Sequence, residues 1–455
     1  MRMRRRRGIA SREVYKGTPE LQNRSPMPPD SVKPESCLVA DSQRTNVRAA
    51  TSDYGLLCLV AVLSVVAIVS RRPDAVWNPQ FWGDDGAYFY ADAYAHGWHV
   101  LLRPLNGYVL ILPRLGALVA TLFPLRWAPL VINLIAIAIQ ALPALILVTK
   151  RFAFLGTWRM RLLIAVFVLA TPTSPEIHAN LDNSQWYMAL LAFLVLVAEP
   201  STSKAWRVFD VVVVLFSGMT GPFCIFLLPV AAIMRWVRGT RWATVLLVIN
   251  CITVAIQVPV ILITGGRSHA PLGATPGLLI RIVGGHVLLG PLLGPQFTVN
   301  HPALAGRACS LVFAVALVVI AYVLRKGPVH FRLLALFAGS LLAASLLSPQ
   351  AALTRPQWPV LLLPLSATRY WFIPGVAWLW TLVWMVGPDR PAFVRFLGAL
   401  AVAAALCTGI AYWRLPAFVN YDFPRYAREF QQVPPGTEFT IPINPPGWKV
   451  TLRKK

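Results

Sequence analysis

Long apolar runs, separated by short clusters of basic residues, restrict the possible folds of this sequence more than any other feature. They occupy residues 56–70, 108–123, 126–149, 161–173, 184–198, 207–217, 222–234, 242–264, 303–324, 331–347, 370–387 and 392–412. Hydrophobic residues make up 56% of the chain and charged residues only 13%, which is far too apolar for a water-soluble globule. The pattern predicts an all-α integral membrane protein with a bundle of roughly 11–13 transmembrane or re-entrant helices.

The two ends of the chain differ from this apolar body. Residues 1–53 are polar and rich in Arg, Pro and Ser, so we predict a disordered basic cytoplasmic tail, with a start at Met27 as an open alternative. Residues 54–413 form the predicted polytopic membrane domain. Residues 414–455 are polar again and too few for a separate domain, so we predict a small external tail that caps the outer face.

The formal net charge of +24 indicates membrane topology rather than nucleic-acid binding, because the basic residues lie in the tail and in short connections. We therefore predict the lipid bilayer as a partner and no nucleic acid. The basic connections, predicted to be cytoplasmic, lie around residues 150–161, 204–207, 235–241, 325–332 and 390–395. The opposite, external face then receives residues 73–107, 174–183, 265–302, 348–369 and the C-terminal tail.

Two places in the apolar body interrupt simple membrane crossings. The stretch Ser217-Gly218-Met219-Thr220-Gly221-Pro222 predicts a broken helix or a hairpin inside the membrane, lining a cavity. The predicted topology also requires an odd number of crossings between residues 108 and 149, where two apolar runs occur. One of these runs is therefore predicted to be re-entrant or split, near Gln140 and Pro143.

Residues 73–107 form the predicted first external loop, which places Asp84, Asp85 and Asp92 within nine residues of a chain with few acids. Ionisable groups near hydrocarbon are costly and are functional candidates by default. The spacing of Asp85, Phe89, Asp92 and His96 predicts one face of a short helix lying at the membrane interface. In such a helix, the acids would point one way and the aromatic rings the other.

The predicted external face also carries the acids Glu176 and Asp182 and the basic residues Arg103, Arg355 and Arg369. A carboxylate beside apolar surface can have a raised pKa and act as a general base, while an arginine fork suits a phosphate oxygen. This combination, facing a lipid-accessible cavity, predicts group transfer from a lipid phosphate donor.

The body carries four motifs: Gly83-Asp84-Asp85-Gly86, Arg103-Pro104-Leu105-Asn106-Gly107-Tyr108 with Leu112-Pro113-Arg114-Leu115, Asn183-Ser184-Gln185-Trp186, and Gly218-Met219-Thr220-Gly221-Pro222. Together they resemble bacterial membrane proteins of the GT-C glycosyltransferase type. The resemblance covers most of the membrane body, and the acidic pair is its catalytic-looking motif. It implies a GT-C-like helical bundle in a bacterial inner membrane, with the active site on the external side.

Members of that superfamily use a polyprenyl-phosphate sugar as donor and an acid of the first external loop as catalytic base. The resemblance implies that Asp85 is this base and Asp84 a second acid or orienting group, acting on a glycan or glycolipid acceptor with inversion. Related sequences often have Glu at the first position, so the choice between the two stays open. Candidates for binding the departing phosphate are Arg103, Arg114, Arg355 and Arg369. The remaining substrate-binding candidates are Asp92, His96, Asn106, Tyr108, Asn183, Trp186, Thr220 and Tyr370.

Simpler roles remain open for several of these residues. Asp84 and Asp85 would also suit the N-terminus of the interfacial helix as caps. Arg114 and Arg369 are alternatively snorkelling residues at the interface. Asn183 and Trp186 are alternatively a helix cap and an aromatic-belt residue.

The remaining alternatives concern metals and the class of function. The six cysteines show no paired spacing, so neither a disulfide framework nor a zinc site is predicted. No metal ligands are assigned, although two acids and a phosphate would suit a divalent cation. The alternatives to an enzyme are a transporter or flippase for a lipid-linked glycan, with the broken helix as its substrate site, and a non-catalytic partner of a glycan polymerase.

Overall fold

The computed structural model describes residues 55–265 and 268–455, so the tail predicted at residues 1–53 lies outside the described residues. The first elements are α1 (Gly55–Arg71), α2 (Asp74–Trp77), a π-helical turn (Asp85–Tyr90), α3 (Ala91–His96) and a 3₁₀ turn (Gly97–Val100). The body continues with α4 (Ile111–Thr121), α5 (Ala128–Leu147), α6 (Trp158–Ala170), α7 (Ser184–Val197), α8 (Lys204–Gly218), α9 (Phe223–Arg238) and α10 (Arg241–Thr264).

The second half of the chain is also helical until its last residues. Its helices are α11 (Pro276–Ile282), α12 (Gly290–Leu293), α13 (Phe297–Asn300), α14 (Pro302–Lys326), α15 (Val329–Leu347), α16 (Gln357–Leu361), α17 (Arg369–Met385), α18 (Ala392–Ala411) and α19 (Phe423–Gln432). A π-helical turn (Val283–Leu289) joins α11 to α12. The strands β1 (Glu438–Ile443) and β2 (Trp448–Arg453) then form an antiparallel hairpin, which the all-α prediction did not include.

Helix boundaries in the body follow local sequence signals. Gly239 ends α9 in the left-handed conformation, which glycine adopts without steric cost. Thr240 follows immediately as the N-cap of α10, and its hydroxyl accepts a hydrogen bond from the Ala243 amide at 3.2 Å. Thr275 caps α11 in the same way through the Leu278 amide. The capping residues therefore set the ends of these helices before any tertiary packing is considered.

Six helical segments of the described chain are long and apolar enough to cross a bilayer. They are Leu125–Leu147, Arg241–Thr264, Pro276–Leu293, Pro302–Lys326, Val329–Leu347 and Ala392–Ala411. Large apolar side chains on several of them face outward, including Leu311 at 70% exposure and Ile263 at 83%. Apolar surface of this extent is stable against lipid and not against water. The prediction of a helical multi-pass membrane protein is confirmed at this level.

The structure locates the irregularity that was predicted between residues 108 and 149. Helix α5 has 20 residues and continues through Pro143, whereas α4 has only 11 residues. At 1.5 Å per residue, α4 reaches roughly 16 Å, about half of the roughly 30 Å hydrocarbon core. The short element is therefore α4, and the predicted break near Gln140 and Pro143 was wrong.

The predicted interruption between residues 217 and 222 is present, because α8 ends at Gly218 and α9 begins at Phe223. Its backbone is satisfied by protein. The Ile111 amide donates to the Met219 carbonyl at 3.0 Å, and the Gly221 amide donates to the Val109 carbonyl at 3.0 Å. The side chain of Gln257 on α10 bonds both backbone groups of Val109. Contacts with neighbouring protein, rather than the predicted cavity, therefore account for this irregular backbone.

Two buried arginines at the end of α1 join distant segments of the chain. Arg71 donates hydrogen bonds to the carbonyl oxygens of Leu169, Thr171 and Trp413. Arg72 donates at 2.9–3.2 Å to the carbonyl oxygens of Pro175, His178 and Pro416. Because each guanidinium binds both segments, the pair fixes the loop before α7 and the start of the C-terminal segment against α1.

The C-terminal segment packs on the acidic part of residues 73–107. The Asn444 amide donates to the Phe81 carbonyl at 3.1 Å, and the Gly83 amide donates back to the Asn444 carbonyl. The Phe81 ring meets the Phe423 ring edge to face, with centroids 5.2 Å apart. The predicted capping tail is thus a helix and a hairpin that support the acidic segment from one side.

Candidate active site

Asp84 and Asp85 lie where the extended segment held by Asn444 becomes the π-helical turn. Asp84 occupies the N-cap position of this turn, but its side chain accepts no hydrogen bond from the helix. The carboxylate of Asp85 bonds a different segment altogether. The alternative in which the two acids merely cap the helix was therefore wrong. Wider turns of this π-helical type occur frequently at functional sites.

Asp85 is fully buried and uses both carboxylate oxygens to hold the loop before α7. Oδ2 accepts from the Leu181 amide at 2.9 Å, and Oδ1 accepts from the Asp182 amide at 2.7 Å. Burial raises the pKa of Asp85 to about 7, while these two bonds lower the pKa and the charge of Asp84 raises it. With both oxygens occupied and no exposed surface, Asp85 is placed to anchor the loop.

Asp84 is half-buried, and its carboxylate accepts no hydrogen bond within residues 55–265 and 268–455. Burial raises the pKa of Asp84 to about 6; the positive charge of Arg369 lowers the pKa and the negative charge of Glu176 raises it. This acid is thus partly accessible and close enough to an arginine for their charges to interact. A carboxyl group with a pKa of about 6 is a competent general base near neutral pH.

Asp182 completes the acidic group from the loop that Asp85 anchors. Burial, together with the charges of Asp84 and Asp85, raises the pKa of Asp182 well above its ordinary value. Its carboxylate accepts a hydrogen bond from the Asn183 side chain at 3.1 Å. Asn183 is the N-cap residue of α7 and makes no side-chain cap, so its role here is to hold Asp182 rather than the helix end.

The basic member of the site is Arg369, the first residue of α17. Its guanidinium forms an ion pair with Glu176, donates to the Gln350 carbonyl at 2.7 Å, and lies 4.8 Å from the centroid of the Tyr370 ring. The Arg369 backbone amide also donates to Glu176 at 3.1 Å. Arg369 is therefore fixed by protein contacts, and the alternative of a snorkelling residue was wrong.

An aromatic group packs beneath this ion pair. Tyr370 lies edge to face against Trp186 at 5.9 Å between ring centroids, and Trp186 meets Phe223 at 4.9 Å. Trp186 is 6% exposed, so it does not belong to an aromatic belt at the membrane surface. The indole nitrogen of Trp186 is buried and has no hydrogen-bond partner among the described residues.

Asp92 belongs to a different cluster from Asp84 and Asp85. Its carboxylate pairs with Arg103 at 2.9 Å and with Arg114 at 3.1 Å. Arg114 is fully buried and lies 5.6 Å from the centroid of the Phe89 ring, so the snorkelling alternative was wrong for Arg114 as well. The predicted common face of Asp85, Phe89, Asp92 and His96 assumed one α-helix, whereas Asp85–Tyr90 forms a π-helical turn and α3 begins only at Ala91. Asp85 is buried against another loop, whereas His96 is exposed.

The other predicted substrate-binding residues lie outside the acidic group or have structural contacts. Asn106 and Gly107 both have positive φ angles, and the Leu105 and Tyr108 backbones around them form a tight turn. The buried Thr220 hydroxyl accepts from the Leu112 amide at 3.2 Å within the broken helix. Arg355 is exposed on the segment between α15 and α16.

The sequence interpretation placed Glu176 and Asp182 on the external face but left them out of the site. It also missed Arg72, whose bonds to Pro175 and His178 position the loop that carries both acids. The signal for Glu176 and Asp182 was their rarity in an apolar chain. The pairing of Glu176 with Arg369 spans 193 positions and has no local signature.

The arrangement defines a multi-pass helical membrane protein with a cluster of carboxylates beside an arginine. Within the described ranges, no group of three or more His, Cys, Asp or Glu side chains is placed to hold a metal ion. The divalent cation considered for two acids and a phosphate therefore remains a prediction. No model of a known protein family matches the chain, and no curated protein sequence matches it.

Proposed function

We propose that this protein is a glycosyltransferase of the bacterial inner membrane with a GT-C-like architecture. It transfers a sugar from a polyprenyl-phosphate donor to a cell-envelope glycan or lipid acceptor on the external face. The observation that carries the proposal is the half-buried Asp84 carboxylate, which lies within range of the Arg369 charge and has a pKa raised to about 6. This observation supports a site that combines a general base with a cation able to bind phosphate.

Asp84 is the base in this proposal, and Asp85 is a positioning residue. Asp85 is fully buried and both of its oxygens accept backbone amides from Leu181 and Asp182, so a substrate hydroxyl cannot reach its carboxylate. The Asp84 carboxylate has no such bonds among the described residues and is partly exposed. This difference in contacts favours Asp84 over Asp85 as the base in the proposal.

Arg369 binds the departing phosphate. Its ion pair with Glu176 and its bond to the Gln350 carbonyl fix the guanidinium before the substrate arrives. A fixed cation needs little reorganisation when negative charge develops on the leaving oxygen.

The chemistry is a single displacement at the anomeric carbon. Asp84 takes the proton of the acceptor hydroxyl while that oxygen forms a bond to the anomeric carbon. The bond between this carbon and the phosphate oxygen breaks, and the polyprenyl phosphate leaves with the electron pair. Attack opposite the leaving group inverts the configuration, and Asp84 later releases its proton to water.

The proposal is tested in a deletion strain complemented with wild type, Asp84→Asn or Asp85→Asn. Surface glycans and glycolipids are compared by mass spectrometry, and membrane levels are measured by immunoblot. We expect Asp84→Asn to reach the wild-type level and yet lack one sugar that the wild type restores. The matched control is Asp389→Asn, because Asp389 is an exposed aspartate between α17 and α18. A normal glycan profile from Asp84→Asn at normal protein level would refute the general-base role.

A further inference from the structure

Two half-exposed aromatic residues from different parts of the chain meet close to Asp84. Tyr88 belongs to the π-helical turn and is 45% exposed, and Trp448 is the first residue of β2 and is 39% exposed. Their ring centroids are 6.5 Å apart, and the ring planes meet at 83°. The two rings are perpendicular and both keep exposed surface, so they form an aromatic corner near the backbone of Asp84.

The indole of Trp448 lies near the backbone of Gly83. A Cβ atom built on Gly83 would just reach the indole, at 4.0 Å from the Cε3 and Cζ3 atoms of Trp448, so Trp448 is a near neighbour of the residue before Asp84. Gly83 has a φ of +33°, a conformation that side-chain-bearing residues rarely adopt. The amide of the same glycine donates to the Asn444 carbonyl in the hairpin turn.

We infer that Tyr88 and Trp448 form a subsite for a sugar ring of the acceptor glycan. The inference rests on the proposed function, since it supplies the acceptor side of that reaction. Aromatic faces carry partial negative charge, which attracts the C–H groups on the face of a sugar ring. A sugar ring that stacks on one aromatic face and contacts the second ring lies next to Asp84. Asp84 then deprotonates the attacking hydroxyl of that sugar.

Other exposed aromatics of the same region lack this arrangement. Trp77 on α2 is 80% exposed and Trp98 is 69% exposed, and Trp98 is stacked on His99 with a centroid distance of 4.0 Å. Neither pairs with a ring from the C-terminal hairpin among the described contacts. The hairpin therefore contributes a recognition residue to the site, in addition to supporting the acidic segment.

The test is binding of purified full-length protein, in detergent without added lipid, to a printed array of bacterial oligosaccharides. We expect wild type to bind at least one glycan, and Tyr88→Ala and Trp448→Ala each to reduce that binding at least tenfold. Tyr88→Phe keeps the ring and should retain binding. The matched control Trp77→Ala removes an exposed indole outside the subsite and should bind like wild type.

Only variants that elute as a single monodisperse peak in size-exclusion chromatography are compared. If Trp448→Ala does not elute in this way, Tyr88→Ala alone is used for the test. Absence of glycan binding by wild type, or wild-type binding by the folded aromatic variants, overturns the inference. An equal loss in Trp77→Ala also overturns it. Asp84→Asn separates the two proposals, because it should retain array binding while losing the sugar in cells. If Asp84→Asn restores that sugar and Tyr88→Ala still abolishes binding, the base assignment fails and the subsite stands.

Discussion

The carboxylate of Asp85 accepts a 2.7 Å hydrogen bond from the backbone amide of Asp182, a residue 97 positions further along the chain. With the bond from the Leu181 amide, this contact ties the π-helical turn to the loop before α7. Asp84 and Asp182 are thereby held in one acidic group. The role of Asp85 is thus distinct from that of its neighbour, although the two residues are adjacent and chemically identical.

The first prediction concerns the pH dependence of stability. Burial raises the pKa of Asp85 to about 7, so between about pH 4 and pH 7 the folded protein binds a proton that the unfolded chain has released. The stabilisation is complete below about pH 4 and is lost as the pH rises to 7. A shift of about three units corresponds to roughly 4 kcal/mol as an upper limit. We expect the apparent Tm in detergent, at a fixed scan rate, to fall between pH 5 and pH 7.5.

Asp85→Asn should show a smaller decrease in Tm over the same pH range, because its side chain does not ionise. Asp84 and Asp182 also have raised pKa values, so part of the decrease remains. Asp389→Asn serves as the control and should keep the wild-type slope. Equal slopes for wild type and Asp85→Asn would contradict the assignment of a buried, titrating Asp85.

The second prediction concerns the pH dependence of activity. A base with a pKa of about 6 must be ionised to accept a proton, so kcat/KM should rise tenfold per pH unit below about 6 and level off above it. The assay uses purified enzyme and the donor identified by the glycan comparison. Asp84→Glu should retain measurable activity, and Asp84→Asn should lose at least 100-fold. A flat profile between pH 5 and pH 7 is incompatible with Asp84 as the base.

The third prediction concerns Arg72, which binds the carbonyl oxygens of Pro175, His178 and Pro416. Arg72→Ala leaves these buried acceptors without their donor, at a cost on the order of 3 kcal/mol or more. We expect a lower membrane level and faster trypsin cleavage than in wild type. Arg126→Ala is the control, because Arg126 is exposed and stacks on its sequence neighbour Trp127. Wild-type protease resistance of Arg72→Ala would show that the three carbonyls do not depend on it.

The fourth prediction concerns the contact between the acidic segment and the C-terminal hairpin at Gly86. A Cβ atom at this position would lie 2.8 Å from Phe81 Cβ and 2.9 Å from Ile443 Cδ1. Gly86→Ala should therefore destabilise the protein by about 1–3 kcal/mol through overpacking. In α11, Gly277 has no atom within 4 Å of such a Cβ, so Gly277→Ala should be neutral or stabilising. The apparent Tm values of Gly86→Ala and Gly277→Ala are compared. Equal values would show that the hairpin moves to accommodate the added methyl group at no cost.

Much of the fold could be predicted from local sequence. The apolar runs predicted the spanning helices, and glycine and polar residues at 217–222 predicted the interruption between α8 and α9. The hairpin of β1 and β2 was not predicted, because its residues were interpreted only as a proline-rich end. The length of α4 was also misjudged, since apolar character does not report how many residues remain helical.

The site could be predicted only in part. Asp84 and Asp85 were recognised because acids are rare in this chain, but their separate roles depend on hydrogen bonds to the Leu181 and Asp182 amides. Arg369 was one of four candidate cations, and its pairing with Glu176 selects it for this group. Arg114 pairs with Asp92 instead. Sequence spacing contains no information about contacts between segments so far apart.

The sequence by itself determined that the chain is a helical membrane protein and that acids occur in one unusually polar segment. These properties depend on hydrophobicity, helix period and capping, which act over a few residues. The tertiary structure alone decided which acid is occupied by backbone amides, which arginine interacts with the charge of the other, and which aromatic of the C-terminal hairpin lies near Gly83. These properties depend on contacts between residues that are up to several hundred positions apart in the sequence. Burial and charge act between such residues through space, so local sequence does not reveal them.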